Sequence, residues 1–293
     1  MGKSKIPETG IYDARQLGTG RMLLLGFQHM FAMFGATILV PILTGLDVSN
    51  TLLFAGLGTL LFHLITGGKV PAFLGSSFAF LGGYATIAPM LGEQQNQPNL
   101  EMLPYACFGV ACAGLVYVIL AALFKAFGAK KVMRFFPPIV TGPIIIAIGL
   151  NLSSSAINNC TGNWWIAIAA ILIIVAANIW GKGMIKIIPI LLGVIGSYLL
   201  AVIFDADVRA NLVANVSEAK WFALPIKMEQ TVFGLFASGN VDAHMLLTAV
   251  ITIVPLSLAT MVEHIGDISA ISSTCNRNYI EDPGLHRTLL GDG

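Results

Sequence analysis

From Met22 onward the chain returns repeatedly to apolar stretches close to the roughly 20 residues that a bilayer-crossing helix requires. Eight can be drawn, at about 22–42, 49–66, 70–91, 103–127, 135–153, 163–180, 185–204 and 244–274. Composition agrees: 56% of the residues are hydrophobic, 11% are charged, and the mean hydropathy is +0.81. A soluble domain carries about a quarter charged residues. The expected fold class is an all-α polytopic membrane protein. The third and fifth stretches are expected to be irregular, since "KVPAFLGSSFAFLGG" and "FFPPIVTGP" carry Pro71, Gly75, Gly82 and Gly83, and Pro137, Pro138 and Pro143.

Net charge is +1, but in a membrane protein the distribution over loops matters more than the total. With the N-terminus inside, thirteen of the sixteen Lys and Arg residues fall in cytoplasmic segments, and only Arg209, Lys220 and Lys227 fall outside. That asymmetry sets both the orientation and the parity of the span count. Residues 1–21 are too polar and too long for a secretory leader and read as a cytoplasmic tail. "WFALP", in the long outer loop, reads as an interfacial aromatic anchor. Cys107, Cys112, Cys160 and Cys275 lack metal or redox spacing, so neither a metal nor a cofactor is expected. No feature points to nucleic acid.

The residues that resist a purely structural reading lie in the last stretch. Glu263 and Asp267 are four apart, which places both carboxylates on one helix face; Thr260 and Thr274 extend it. Ionised groups facing lipid are costly, so the pair is expected to face protein, water or a ligand. Such acids can exchange protons or accept N–H donors from a heterocycle. An ordinary alternative is that the pair ends the span and meets water. "VPAFLGSSFAFLGG" reads as broken backbone, tolerated at membrane depth only where protein or a cavity satisfies it, and used by transporters as a binding element. Gln28 and His29 lie mid-helix, where a histidine is more often a strut than a proton carrier. His63 sits nearer a helix end. An intramembrane aspartyl protease would need two aspartates on different helices sharing one water. No other stretch carries an acid on this reading, so the chain is not read as an enzyme.

The segments "QHMFAMFGATILVPIL", "GKVPAFLGSSFAFLGG", "FPPIVTGPIIIAIGL", "IPILLGVIGSYLL", "KWFALP", "EHIGD" and "DPGLHR" together resemble the nucleobase–ascorbate transporter family, and most closely its bacterial uracil carriers. The resemblance implies a seven-plus-seven inverted-repeat fold, of which this chain holds about the first eight segments, ending at "LLGDG" as if cut. It implies a core domain of residues 22–127 and 244–293, the latter holding segment eight and the start of the next cytoplasmic loop. It also implies a gate domain at 128–243 and a short strand interrupting the third segment. It implies that Glu263 receives the nucleobase, that the Phe78 backbone beside Ser77 contacts a substrate oxygen, and that His29 supports the site. Glu263 and Asp267 would couple transport to protons. The implied location is the inner membrane, the implied partners are uracil, a proton and the lipid bilayer, and a homodimer is left open. Asp267 departs from the uracil carriers, which usually have histidine there, and matches the family's xanthine and urate carriers. Because the second broken segment is missing, residues 1–293 alone are expected not to transport.

Overall fold

The computed structural model describes residues 14–92, 97–132, 134, 138–182, 184–218, 224–237, 239 and 241–293. The first apolar stretch is two helices, α1 (Thr19–Ala32) and α2 (Phe34–Thr44), broken at Met33. The second is α3 (Val48–Thr66). Its start is fixed by Asp47, whose carboxylate accepts from the Asn50 N–H at 2.9 Å, and its end by Gly67 at a φ of 66°. A side-chain acceptor at the N-cap satisfies an orphan N–H, and glycine enters the left-handed turn without a steric penalty.

The third stretch breaks as its prolines and glycines predict, but not as a strand. Residues 70–77 are non-helical and no strand occurs among the described residues; a 3₁₀ turn at Phe78–Phe80 then leads into α4 (Leu81–Ile87). A strand needs a neighbouring ladder. Here a side chain substitutes: the Leu74 N–H donates to Thr59 Oγ1 at 3.1 Å, and that hydroxyl lies 3.1 Å from the Leu74 carbonyl oxygen. Gly75 passes so close to α2 that a Cβ would stand 3.1 Å from Thr37 Oγ1.

The fourth stretch is α5 (Leu103–Phe127), with Pro104 in its first turn, where a missing N–H costs nothing. α6 (Ala129–Val132) is a single turn. α7 (Pro138–Thr161) begins at Pro138 and carries Pro143 inside, while Pro137 lies outside the described residues. α8 (Trp164–Trp180), α9 (Met184–Ile187) and α10 (Pro189–Phe204) follow; α10 turns by 107° into α11 (Ala206–Glu218), whose start is capped by Asp205. Trp221 and Phe222 of the expected anchor lie outside the described residues. After α12 (Val232–Ala237), α13 (Ala243–Ile253) passes through a turn at Val254–Leu256 into α14 (Ser257–Cys275). A turn at Ile280–Gly284 leads to α15 (Leu285–Asp292). Among the described residues Val48–Thr66, Leu103–Phe127 and Ala243–Cys275 are long and apolar enough to cross a membrane, joined by a fourth if the bent α10–α11 pair is one span.

The chain divides into two compact units, Met1–Gly35 with Ser155–Ala223, and Ala36–Ser154 with Leu224–Gly293. In the first, α8 packs on α10. In the second, α5 is the hub, touching α4, α12, α13, α14 and α15. Gly109 brings α5 against α13: a Cβ there would stand 2.8 Å from Ile253 and 2.9 Å from the Ala249 carbonyl oxygen. Small residues permit such approaches where lipid provides no hydrophobic drive for helices to associate. One core cluster, around Tyr84, Ala106 and Ile253, occupies one end of this unit; another, around Phe62, Phe124, Ile265 and Leu285, occupies the other.

Polar loop contacts in this unit sort into the same two groups. Beyond the first cluster the Lys227 ammonium meets Asp47 at 2.6 Å, the Asp47 N–H donates to Gln230 Oε1 at 2.7 Å, and the Asp242 N–H donates to the Tyr105 hydroxyl at 3.0 Å. Beyond the second, Lys69 pairs with Asp282.

Candidate functional site

Glu263 and Asp267 both lie on α14, as their spacing predicts. Glu263 is half-buried and Asp267 exposed. Thr260 is buried and its hydroxyl donates to the Ser257 carbonyl at 3.0 Å; Thr274 is exposed and donates to the Ala270 carbonyl at 2.9 Å. Hydroxyls that bond back to the preceding turn are satisfied within the helix, so the free polar capacity of this face is the carboxylates.

Ser77 and Phe78 belong to the same unit. Ser77 caps the 3₁₀ turn, its Oγ accepting from the Ala79 N–H at 3.3 Å, and both residues are half-buried. The segment carrying them is anchored on either side. Before them, Val70, Ala72 and Leu74 pack into the cluster that contains Met261, Ile265 and Ile268 of α14. After them, Gly83 lies so close to the turn preceding α14 that a Cβ would stand 2.9 Å from Ile253 and 3.1 Å from Leu256. The break in the third stretch thus shares a core cluster with α14 and packs against the turn that precedes it. His29 lies exposed on α1, in the other unit. His63 is in the last turn of α3, its ring edge-on to Phe62.

Three further groups surround the acids, and the sequence reading missed them. His264 is 6% exposed, with Nδ1 2.9 Å from the Asp292 carboxylate. Asp292 ends the short helix α15. Its signal was present: Leu285, Thr288, Leu289 and Asp292 recur at helical spacing, and the first three are buried. Tyr117 of α5 is buried, shares a hydrogen bond with Thr260, and lies within electrostatic reach of Asp292, Glu263 and Asp267. No group of three or more His, Cys, Asp or Glu with metal-holding geometry occurs among the described residues.

The arrangement concentrates carboxylates, one imidazole and one phenol around a membrane-crossing helix, next to a fixed break in the backbone. It can accept N–H donors and hold protons away from bulk water.

Comparison with known proteins agrees on the kind of molecule. The model of a family described as "Permease family" (Xan_ur_permease) matches residues 20–293. The chain is 38% identical over 278 residues to the probable uracil permease of Haemophilus influenzae, covering 92% of this chain and 61% of that protein. It is 38% identical over 284 residues to the uracil permease of Bacillus caldolyticus, covering 94% and 61%. To the putative pyrimidine permease RutG of Escherichia coli it is 34% identical over 298 residues, covering 99% and 63%. The chain therefore spans about three-fifths of the length of these relatives. With its apolar helices and a family match over nearly its whole length, it is a multi-pass membrane protein that belongs to this permease family.

Proposed function

We propose that this chain is part of a proton-coupled nucleobase carrier, with uracil as substrate, working by alternating access in the cytoplasmic membrane with its N-terminus inside. The observation that carries the reading is the match to proteins named uracil permeases along more than nine-tenths of the chain. The placement of Glu263, half-buried on a membrane-crossing helix whose neighbours hold the Ser77–Phe78 break, supports it. In this reading the Glu263 carboxylate accepts the ring N–H of the base, and the Phe78 N–H donates to a ring carbonyl oxygen. His29 supports the site, and Glu263 with Asp267 takes up the coupling proton. Residues 22–127 and 244–293 form the moving core and 128–243 the gate. Asp267, an aspartate where the resemblance places histidine in uracil carriers, favours xanthine as the alternative substrate.

The test is radiolabelled uracil uptake by the full-length protein with and without a proton gradient, comparing wild type with Glu263→Gln. Losing a hydrogen bond to a charged group costs about 1.5–3 kcal/mol, so affinity is expected to fall roughly 10- to 150-fold. Unchanged affinity and rate in the variant would remove Glu263 from the site. Uptake of xanthine in preference to uracil would reassign the substrate. Counterflow of labelled against unlabelled uracil separates a carrier from a pore.

A further inference from the structure

His264 is a buried side chain only half accounted for. One ring nitrogen, Nδ1, lies 2.9 Å from the Asp292 carboxylate, while the other, Nε2, is buried without a hydrogen-bond partner among the described residues. A carboxylate is only an acceptor, so a proton on Nδ1 is the arrangement that suits this contact, and the neutral ring then carries its lone pair on Nε2. A buried acceptor without a donor costs roughly 1–3 kcal/mol. If this residue only tied α14 to α15, the orphaned nitrogen would be cost without return. An amide side chain can donate a hydrogen bond to a carboxylate without placing a basic nitrogen there.

What the orphaned nitrogen can do follows from charge. With neutral His264 and ionised Asp292, the pair carries one negative charge in a dry setting. When Nε2 takes a proton the ring becomes an imidazolium against that carboxylate, and the pair becomes neutral overall. Protonation thus removes a net buried charge, the opposite of its effect on an isolated imidazole. The charged groups around it are mixed, acidic on its own helix and basic as well on α5 and α15. Glu263 and Asp267 lie on the same helix, with Asp267 three residues beyond His264 and within electrostatic reach of it. α5 contributes Tyr117, and Lys125 two turns further on. α15 contributes Asp292, with His286 and Arg287 in its first turn. The Ile280–Gly284 turn contributes Glu281 and Asp282, both exposed, and the Val254–Leu256 turn contributes no charge.

We propose that His264 and Asp292 form a proton-accepting dyad within the membrane-spanning region, with His264 Nε2 as the atom that takes up and releases the proton. Asp292 is a positioning residue: it holds the ring and its tautomer. On loading, the Nε2 lone pair forms a bond to a proton drawn from water. On release that bond breaks, the electron pair stays on nitrogen, and the proton returns to water directly or through the Asp267 carboxylate. Nothing is oxidised or reduced. The dyad is a second proton site beside the Glu263–Asp267 pair, and its meaning as a coupling site rests on the carrier reading above.

The experiment has two readouts on the full-length protein in lipid nanodiscs. First, ¹⁵N-histidine NMR follows His264 from about pH 5 to about pH 9, its signal assigned by its loss in His264→Gln or, should that variant not fold, by its displacement in isosteric Asp292→Asn. The expected result is an Nδ1–H tautomer that gains a second proton within this range. Asp292→Asn is expected to release the ring from the Nδ1–H tautomer, seen as a change in the two ring ¹⁵N shifts. A single protonation state throughout, or unchanged ring ¹⁵N shifts in Asp292→Asn, overturns the proposal. Second, the pH profile of uracil uptake should change in Asp292→Asn; an unmoved profile overturns the coupling role. If wild type carries no uracil while the titration behaves as expected, the carrier reading fails and the dyad stands.

Discussion

The α8–α10 pair and the neighbourhood of α14 are both built from apolar stretches of similar length, yet they are held together by different forces. Between α8 and α10 the contact is one of shape. A Cβ at Gly193 would stand 2.4 Å from Ile174, and one at Gly196 would stand 2.7 Å from Ile173. The outward surface of the pair is apolar, with Trp165 83% and Phe204 80% exposed, as suits a surface bathed in acyl chains. Around α14 the buried set is mixed: Met261, Val262, Ile265 and Ile268 pack in the core, and Ser257, Thr260 and His264 lie inside with them, with Asp292 against His264 and Tyr117 near Thr260. Lipid is as apolar as leucine, so helices in it associate through close packing or through polar groups that find partners. The first region uses packing alone, and the second adds polar pairing to it. Substitutions that change volume should therefore damage the first, and those that change charge or hydrogen bonding should damage the second.

The largest effect on stability is expected at Gly193→Ile. Its side chain must displace Ile174 or push the helices apart, and overpacking of this kind costs about 1–3 kcal/mol. Thermal unfolding in detergent measures it, with Gly56→Ala as the contrast, since nothing lies within 4 Å of a Cβ there. A Gly193 variant as stable as wild type would mean that close approach is not what holds the pair.

Next comes Asp47, which acts both as a cap and as half of an ion pair. Asp47→Ala loses both and should cost about 0.5–2 kcal/mol. Asp47→Asn keeps a good cap and loses only the Lys227 pair, leaving at most about 1 kcal/mol. The Asp47 carboxyl is held below its ordinary value: burial alone raises it, but hydrogen bonds from Lys227 and from the Asn50 and Ser49 N–H groups, with the Lys227 charge, outweigh that. A lowered folded-state value stabilises the fold above the unfolded value of about 3.9, and this is lost as pH falls through the folded one. The gap between wild type and Asp47→Asn should therefore be present at neutral pH and close only as pH falls below about 3.9; a gap that widens in acid contradicts the assignment.

Thr260→Val tests the polar region more gently. It keeps the volume and removes the hydroxyl that bonds to the Ser257 carbonyl and Tyr117, and polar contacts between membrane helices average about 0.6 kcal/mol. The smallest effect is expected at Lys69→Met. Its pair with Asp282 has side chains 48% and 71% exposed, so unfolding should change by less than about 0.5 kcal/mol at ordinary salt.

Much of the site was legible before any coordinates. The spacing of Glu263 and Asp267 puts them on one helix face by arithmetic alone, and the glycines and prolines of residues 70–83 announced a break. The strand expected there did not form among the described residues, since Thr59 supplies the bonds to Leu74 that a ladder would have supplied. Asp292 was not singled out because α15 is only two turns long. Its periodicity is convincing only once Leu285 and Leu289 are known to be buried.

By itself the sequence determined that these stretches are helices and where the two α14 carboxylates lie, because backbone hydrogen bonding in lipid and the helical repeat are local constraints. Only the tertiary structure decided that His264 meets Asp292, that Tyr117 lies near Asp292 and Thr260, and that Asp47 is clasped by Gln230 across 183 residues of chain. Those pairings depend on how whole helices pack, and no local spacing encodes which faces will meet.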